Sequence, residues 1–129
     1  MANKPKILIV DDSKNECFLL SEYLSSGAVG DYDCQSANSL DDAKKLLDER
    51  AFDCIIVDHL IGLETGLEFV IQHEKSNYAE IPVILISGYG DPALEQEARK
   101  AGAAGFVAKR DLTEELINKV VSEAINCAA

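Results

Sequence analysis

The sequence predicts an α/β domain built on a doubly wound, five-stranded parallel sheet with five helices. Two observations carry that prediction. Short apolar runs alternate with segments of helical period along the chain, the pattern of successive strand–helix units. Three of the runs are almost continuously apolar, as strands buried on both faces of a parallel sheet must be. At 129 residues the chain is long enough for a substantial core and is read as one domain, 1–129.

The elements follow in order. "KILIV" (6–10) is the first strand, and Ser13 with Glu16 reads as a capping box opening the first helix, with Gly27 where its C-cap should fall. "YDCQSA" (32–37) is a more polar second strand, after which Ser39 caps a helix carrying Ala43, Leu46 and Leu47 on one face. "CIIVD" (54–58) and "PVILIS" (82–87) are the third and fourth strands. Asp91 and Pro92 supply a cap and a first-turn proline for the fourth helix, and Gly102 its C-cap. "GFVAK" (105–109) is the fifth strand, and Asp111 with Glu114 resembles a second capping box. The last helix repeats apolar residues at Leu112, Leu116, Val120 and Ala124. Runs one, three and four are the most apolar and belong in the middle, which fits the order 2-1-3-4-5.

Composition narrows the function. Hydrophobic residues are 47% and charged residues 27% of the chain, an ordinary globular balance. A formal net charge of -11 argues against sequence-independent binding of nucleic acid and against anionic membranes. No apolar stretch approaches the ~20 residues of a membrane helix, and the run after "MANKPK" is too short for a signal peptide. Cys17, Cys34, Cys54 and Cys127 form no CxxC pair and read as reduced thiols, so the expected location is cytoplasmic.

The chemistry lies in what ends each run. Run one ends in Asp11 and Asp12, run three in Asp58, run four in Ser87 and run five in Lys109. Parallel strands point the same way, so these side chains converge at the carboxyl edge of the sheet, where such folds bind ligands. Clustered carboxylates with room for water suit Mg²⁺, which typically also takes phosphate oxygens. A carboxylate can serve as nucleophile and form an acyl phosphate. Ser87 could donate to a phosphoryl oxygen, and Lys109 could neutralise charge there. His59 and His73 have no partner at metal-ligand spacing and are read as non-catalytic.

In order and spacing, "VDD" (10–12), "VDHLIGLETG" (57–66), "LISGYG" (85–90) and "GFVAK" (105–109) resemble the receiver domains of bacterial two-component response regulators, of the chemotaxis-regulator kind. The resemblance covers essentially the whole chain and implies a flavodoxin-like fold. It implies that Asp58 is the phosphate acceptor and that Mg²⁺ is held by Asp12 directly, Asp11 largely through water, Asp58 and the backbone carbonyl of Leu60. Ser87 and Lys109 would contact the phosphoryl group. Phe106 would be the aromatic switch, turning inward when Ser87 is drawn towards the phosphate. The implied donor is a histidine kinase or phosphotransfer protein, with a small acyl phosphate as a substitute. The implied recipient is a downstream protein or an attached output domain, reading the face of the fourth helix, fifth strand and fifth helix. Direct binding of nucleic acid or membrane is not implied.

The departures are specific. Ile61 and Gly62 stand where the family usually has Met-Pro, and glycine is expected to loosen that loop. Arg110 follows the lysine where the family usually has proline, so a trans bond is expected. Phe106 has no hydroxyl, so its two states would differ by packing. Leu60 and Tyr89 occupy positions that tune water access, and their bulk predicts slow spontaneous dephosphorylation. Two other readings compete. A turnover phosphatase on a similar sheet would want a second acid two residues after the nucleophile, and that position is Leu60. A receiver used as a phosphorylation-independent docking module would keep the fold without the chemistry. The chain has neither GxGxxG after the first strand nor GxxxxGK[ST], so nucleotide binding is not supported.

Overall fold

Each apolar run of the sequence becomes a strand, and every helix packs against one face of the resulting sheet. The computed structural model describes residues 4–26, 31–88 and 92–128, with side chains as far as 126. Along the chain lie β1 (Lys6–Val10), α1 (Lys14–Ser25), β2 (Asp33–Ala37), α2 (Leu40–Glu49), β3 (Cys54–Asp58), β4 (Leu60–Ile61) and β5 (Glu64–Thr65). Then come α3 (Gly66–His73), β6 (Val83–Ser87), α4 (Pro92–Ala101), β7 (Gly105–Ala108), a 3-10 turn (Lys109–Asp111) and α5 (Glu114–Ala128). Five strands form a parallel sheet in the order β2-β1-β3-β6-β7, which is the expected 2-1-3-4-5 of the apolar runs.

The central strands are apolar throughout because each supplies two cores. Leu8, Val10, Ile55, Val57, Val83 and Leu85 pack on one face with α2, α3 and α4. Ile7, Ile9, Cys54, Ile56, Ile84 and Ile86 pack on the other with α1 and α5. Burying each large aliphatic side chain contributes about 1.5–3 kcal/mol, so the alternation fixes strand register and the position of every strand end. Cys17 and Cys54 are core residues, and burial pushes their thiols up to about 11 and about 12. His73 is likewise buried, with Nε2 2.9 Å from the Ile81 carbonyl oxygen and its ring stacked on Phe69.

The caps differ in part from expectation. Ser39 accepts the Asp42 N–H at 3.1 Å, and Gly102 ends α4 at φ +113°. Gly27 and Asp91 lie outside the described residues. Ser13 accepts the Glu16 N–H, but the reciprocal half of the box is missing: the Ser13 N–H goes to Asp11 Oδ1 at 2.9 Å. Asp111 caps nothing, because residues 109–111 are taken up in the 3-10 turn. Thr113 caps α5 instead, accepting the Leu116 N–H at 3.0 Å. The Lys109–Arg110 bond is trans.

A short antiparallel hairpin, β4 with β5, was not anticipated in the sequence. Gly62 takes the first place of a two-residue turn at φ +60°, the position where a type II′ hairpin calls for glycine. The hairpin delivers the chain to Gly66, where α3 starts hard against β3. A Cβ on Gly66 would stand 2.5 Å from both the Asp58 carbonyl oxygen and Leu85 Cδ1. Gly66→Ala is therefore expected to lower the unfolding free energy by about 1–3 kcal/mol, the usual cost of overpacking. Gly88→Ala, with nothing within 4 Å of its Cβ, should change it by less than about 0.5 kcal/mol in the same urea titrations.

Candidate functional site

The sheet brings Asp11, Asp12, Asp58, Ser87 and Lys109 to one edge, as their places after the strands require. β1 pairs with β3 up to Val10↔Val57, and β3 with β6 up to Asp58↔Ile86. β6 pairs with β7 up to Ser87↔Ala108, so Lys109 is the next residue out. Asp11, Asp12 and Asp58 each present an oxygen within 4.8 Å of the others. Lys109 Nζ lies 3.4 Å from Asp58 Oδ1 and 4.0 Å from Glu16 Oε1.

The acids are not equivalent. Asp11 is 3% exposed, and its Oδ1 accepts the Ser13 N–H while its carbonyl accepts from Asn38 Nδ2 at 3.0 Å. Burial pushes its carboxyl up to about 6, with the negative charge of Asp58 adding to the rise and the Ser13 N–H and Lys109 opposing it. Asp58 is 8% exposed; burial raises its carboxyl, against the pull of Lys109. Asp12 is exposed, and its Oδ2 accepts the Gly62 N–H at 2.9 Å. Burial disfavours the Lys109 ammonium, but Asp58, Asp11 and Glu16 together outweigh it and hold the ammonium above its ordinary range.

This donor set consists of oxygens only, with one oxygen from each of the three carboxylates within 4.8 Å of the others. It fits a hard divalent cation, which would relieve both burial and repulsion. The neighbouring Cys17 thiol is pushed up to about 11 and donates to the Asp11 carbonyl at 3.5 Å, so it adds no thiolate ligand. Ser87 is buried at the same edge, and Phe106 is mostly buried against the core on the α4 side. Leu60 is 63% exposed in the hairpin. Tyr89 lies outside the described residues.

Sequence reasoning missed two members of this edge. Glu16 was explained as a capping partner, and that explanation hid a carboxylate facing Lys109. The Gly62 N–H has no sequence signal beyond the glycine itself.

Comparison with known proteins identifies the family and the fold. The family described as response regulator receiver domain matches residues 7–121. Response regulator protein PilR of Pseudomonas aeruginosa is 32% identical over 107 residues, 83% of this chain but only 23% of PilR. Probable chemotaxis protein CheY of Rhizobium etli is 29% identical over 126 residues, 97% of this chain and 95% of that one. Among solved structures, the beryllofluoride-activated NtrC4 receiver domain dimer superposes with a TM-score of 0.86 at 26% identity, over 96% of this chain and 98% of that one.

The buried Asp11 gives a testable pH dependence. Well below its ordinary value of 3.8 the carboxyl is protonated whether the chain is folded or not. As pH rises through 3.8 towards about 6, the unfolded chain releases the proton first, so this group's contribution to stability falls. In divalent-free buffer, Asp11→Asn keeps an oxygen for the Ser13 N–H and should exceed wild type by about 2–3 kcal/mol near pH 7. The two curves should converge near pH 4 in chemical denaturation. Equal stability at both pH values would show that Asp11 carries no burial penalty.

Proposed function

This chain belongs to the response regulator receiver family, and from that premise we propose that Asp58 accepts a phosphoryl group from a histidine kinase or phosphotransfer protein. The observation that carries the assignment is the place of Asp58: it ends β3 between two further acids and 3.4 Å from a lysine ammonium. The Asp58 carboxylate oxygen attacks phosphorus as the P–N bond of a phosphohistidine, or the P–O bond of a small acyl phosphate, breaks. Lys109 neutralises charge on the transferred group, and the Ser87 hydroxyl donates to one of its oxygens.

The residues present fit Mg²⁺. Asp12 and Asp58 would hold it directly, Asp11 largely through water, and the Leu60 carbonyl would complete the protein's share. When bound, the ion screens the phosphoryl oxygens from the carboxylates. Leu60 stands where a turnover phosphatase would want its general acid, so the phosphorylated state persists rather than turning over. Its persistence makes the chain a switch, with Phe106 and the face of α4, β7 and α5 as the part that changes.

We propose a cytoplasmic site of action, as is typical of this family. The recipient is a downstream protein or an attached output domain; PilR, of which this chain spans 23%, exemplifies a longer protein with such a segment. We propose that residues 1–129 act as one receiver domain, without direct contact to nucleic acid or membrane.

Incubation with Mg²⁺ and acetyl phosphate should add one phosphoryl mass to the intact protein, and Asp58→Asn or chelation of the metal should abolish it. An adduct that survives Asp58→Asn would place the acceptor elsewhere. No adduct, with Mg²⁺ still bound, would favour a receiver that needs its cognate donor or a docking module. The purified phosphoprotein should lose its group far more slowly than in seconds. Leu60→Asn, which gives an attacking water a hydrogen-bond partner, should shorten the lifetime several-fold as followed by mass spectrometry.

A further inference from the structure

The exposed Asp12 owes its orientation to a residue 50 positions away. Gly62, at the turn of the β4–β5 hairpin, donates its N–H to Asp12 Oδ2 at 2.9 Å. We propose that Gly62 is a positioning residue for the divalent cation: its N–H occupies one oxygen of Asp12, fixes the side-chain torsions and leaves the other oxygen for the ion. The inference rests on the reading of Asp11, Asp12 and Asp58 as the Mg²⁺ site.

Three observations support it. Asp11 is held by burial and by the Ser13 N–H, whereas the exposed Asp12 has no burial to fix it. A surface aspartate left alone samples several rotamers, and ordering it opposes metal binding; hydrogen bonds that orient a ligand remove that cost. Next, a Cβ at Gly62 would meet nothing within 4 Å, so glycine is not required there for space. What the position requires is φ +60° and an N–H aimed at Asp12. Finally, the proline usual in the family at this position has no N–H to give. The departure from the family pattern is therefore what creates the contact. The hairpin that supplies it is anchored by the buried Ile61 and carries the fully exposed Leu63 at its turn.

The test is a Mg²⁺ titration of the full chain by calorimetry. Gly62→Pro, made with D-proline by peptide ligation so that φ stays near +60° while the N–H is removed, should weaken binding about 10-fold, the low end for groups that orient a metal ligand, because this bond is exposed. Gly62→Asn keeps the N–H and tolerates positive φ, and should stay within about 2-fold of wild type. Unchanged affinity in Gly62→Pro overturns the proposal. Equal losses in both variants also overturn it, by assigning the effect to loop strain.

A second measurement does not depend on how Gly62→Pro folds. In chelator, the Gly62 amide should exchange with solvent about five-fold faster in Asp12→Ala than in wild type, and equal rates would overturn the pairing. Absence of Mg²⁺ binding by the wild-type chain would overturn both the metal site and this inference. Wild-type binding that is indifferent to Gly62 overturns the inference alone.

Discussion

Three carboxylates held within 4.8 Å of one another repel, and the rest of the structure is organised around tolerating that repulsion. A pair of full charges at that separation costs about 3 kcal/mol at the effective dielectric of a protein surface. Asp11 and Asp58 have little room to move apart, because the strands that place them have registers set by side chains buried on both faces, and the Gly62 N–H holds Asp12 beside them. The fold opposes the repulsion locally with one ammonium, Lys109, and with backbone N–H groups from Ser13 and Gly62. Globally it opposes it with two apolar cores. The remaining imbalance would favour a cation at this edge and, with the cation present, a phosphoryl group, as proposed above.

The same rigidity locates the acceptor's backbone. α3 begins at Gly66 in contact with the Asp58 carbonyl, with no room even for a methyl group. The Gly66 N–H donates to the His59 carbonyl at 2.7 Å, and the His59 N–H donates to Ile86 at 2.8 Å, so the segment after Asp58 is tied on both sides. The seven-residue segment between β3 and α3, six of whose residues form the hairpin, has little freedom left under these constraints. Its glycines do opposite work: Gly62 permits an unusual backbone angle in open space, whereas Gly66 permits an ordinary one in no space at all.

This division explains what could be read from the sequence. The strands, their order and the convergence of Asp11, Asp12, Asp58, Ser87 and Lys109 were legible because strand burial and strand direction are properties of short runs. The hairpin and the caps at Thr65 and Thr113 were not, although each is local: both threonines accept the N–H three residues on, and Asp111, two residues before Thr113, offered a rival cap in sequence. Glu16 shows the mechanism of such an error. A local capping box was a sufficient explanation in sequence, yet in space its carboxylate lies 4.0 Å from the ammonium of Lys109, 93 residues further along the chain. Local rules assign a polar group to the nearest partner in sequence, whereas folding assigns it to the nearest partner in space.

The switch proposed for this domain can be bounded in the same terms. Ser87 pairs with Ala108 and Leu85 with Phe106, so Ser87 and Phe106 project from adjacent strands on one face, diagonally placed. Phe106 is already mostly buried, and full burial of a phenylalanine is worth about 1.5–3 kcal/mol, so an inward turn would gain at most about a third of that. Such a gain would move a two-state population by only about two- to five-fold, well short of a complete switch. The larger bias must come from charge. Lys109 now faces Asp58 and Glu16, and a phosphoryl group on Asp58 would draw the ammonium further towards the site. Lys109 also opens the 3-10 turn that leads into α5, three residues after Phe106. One redistribution of charge at the sheet edge therefore acts on both the ring and the helix, and the apolar ring needs only to follow.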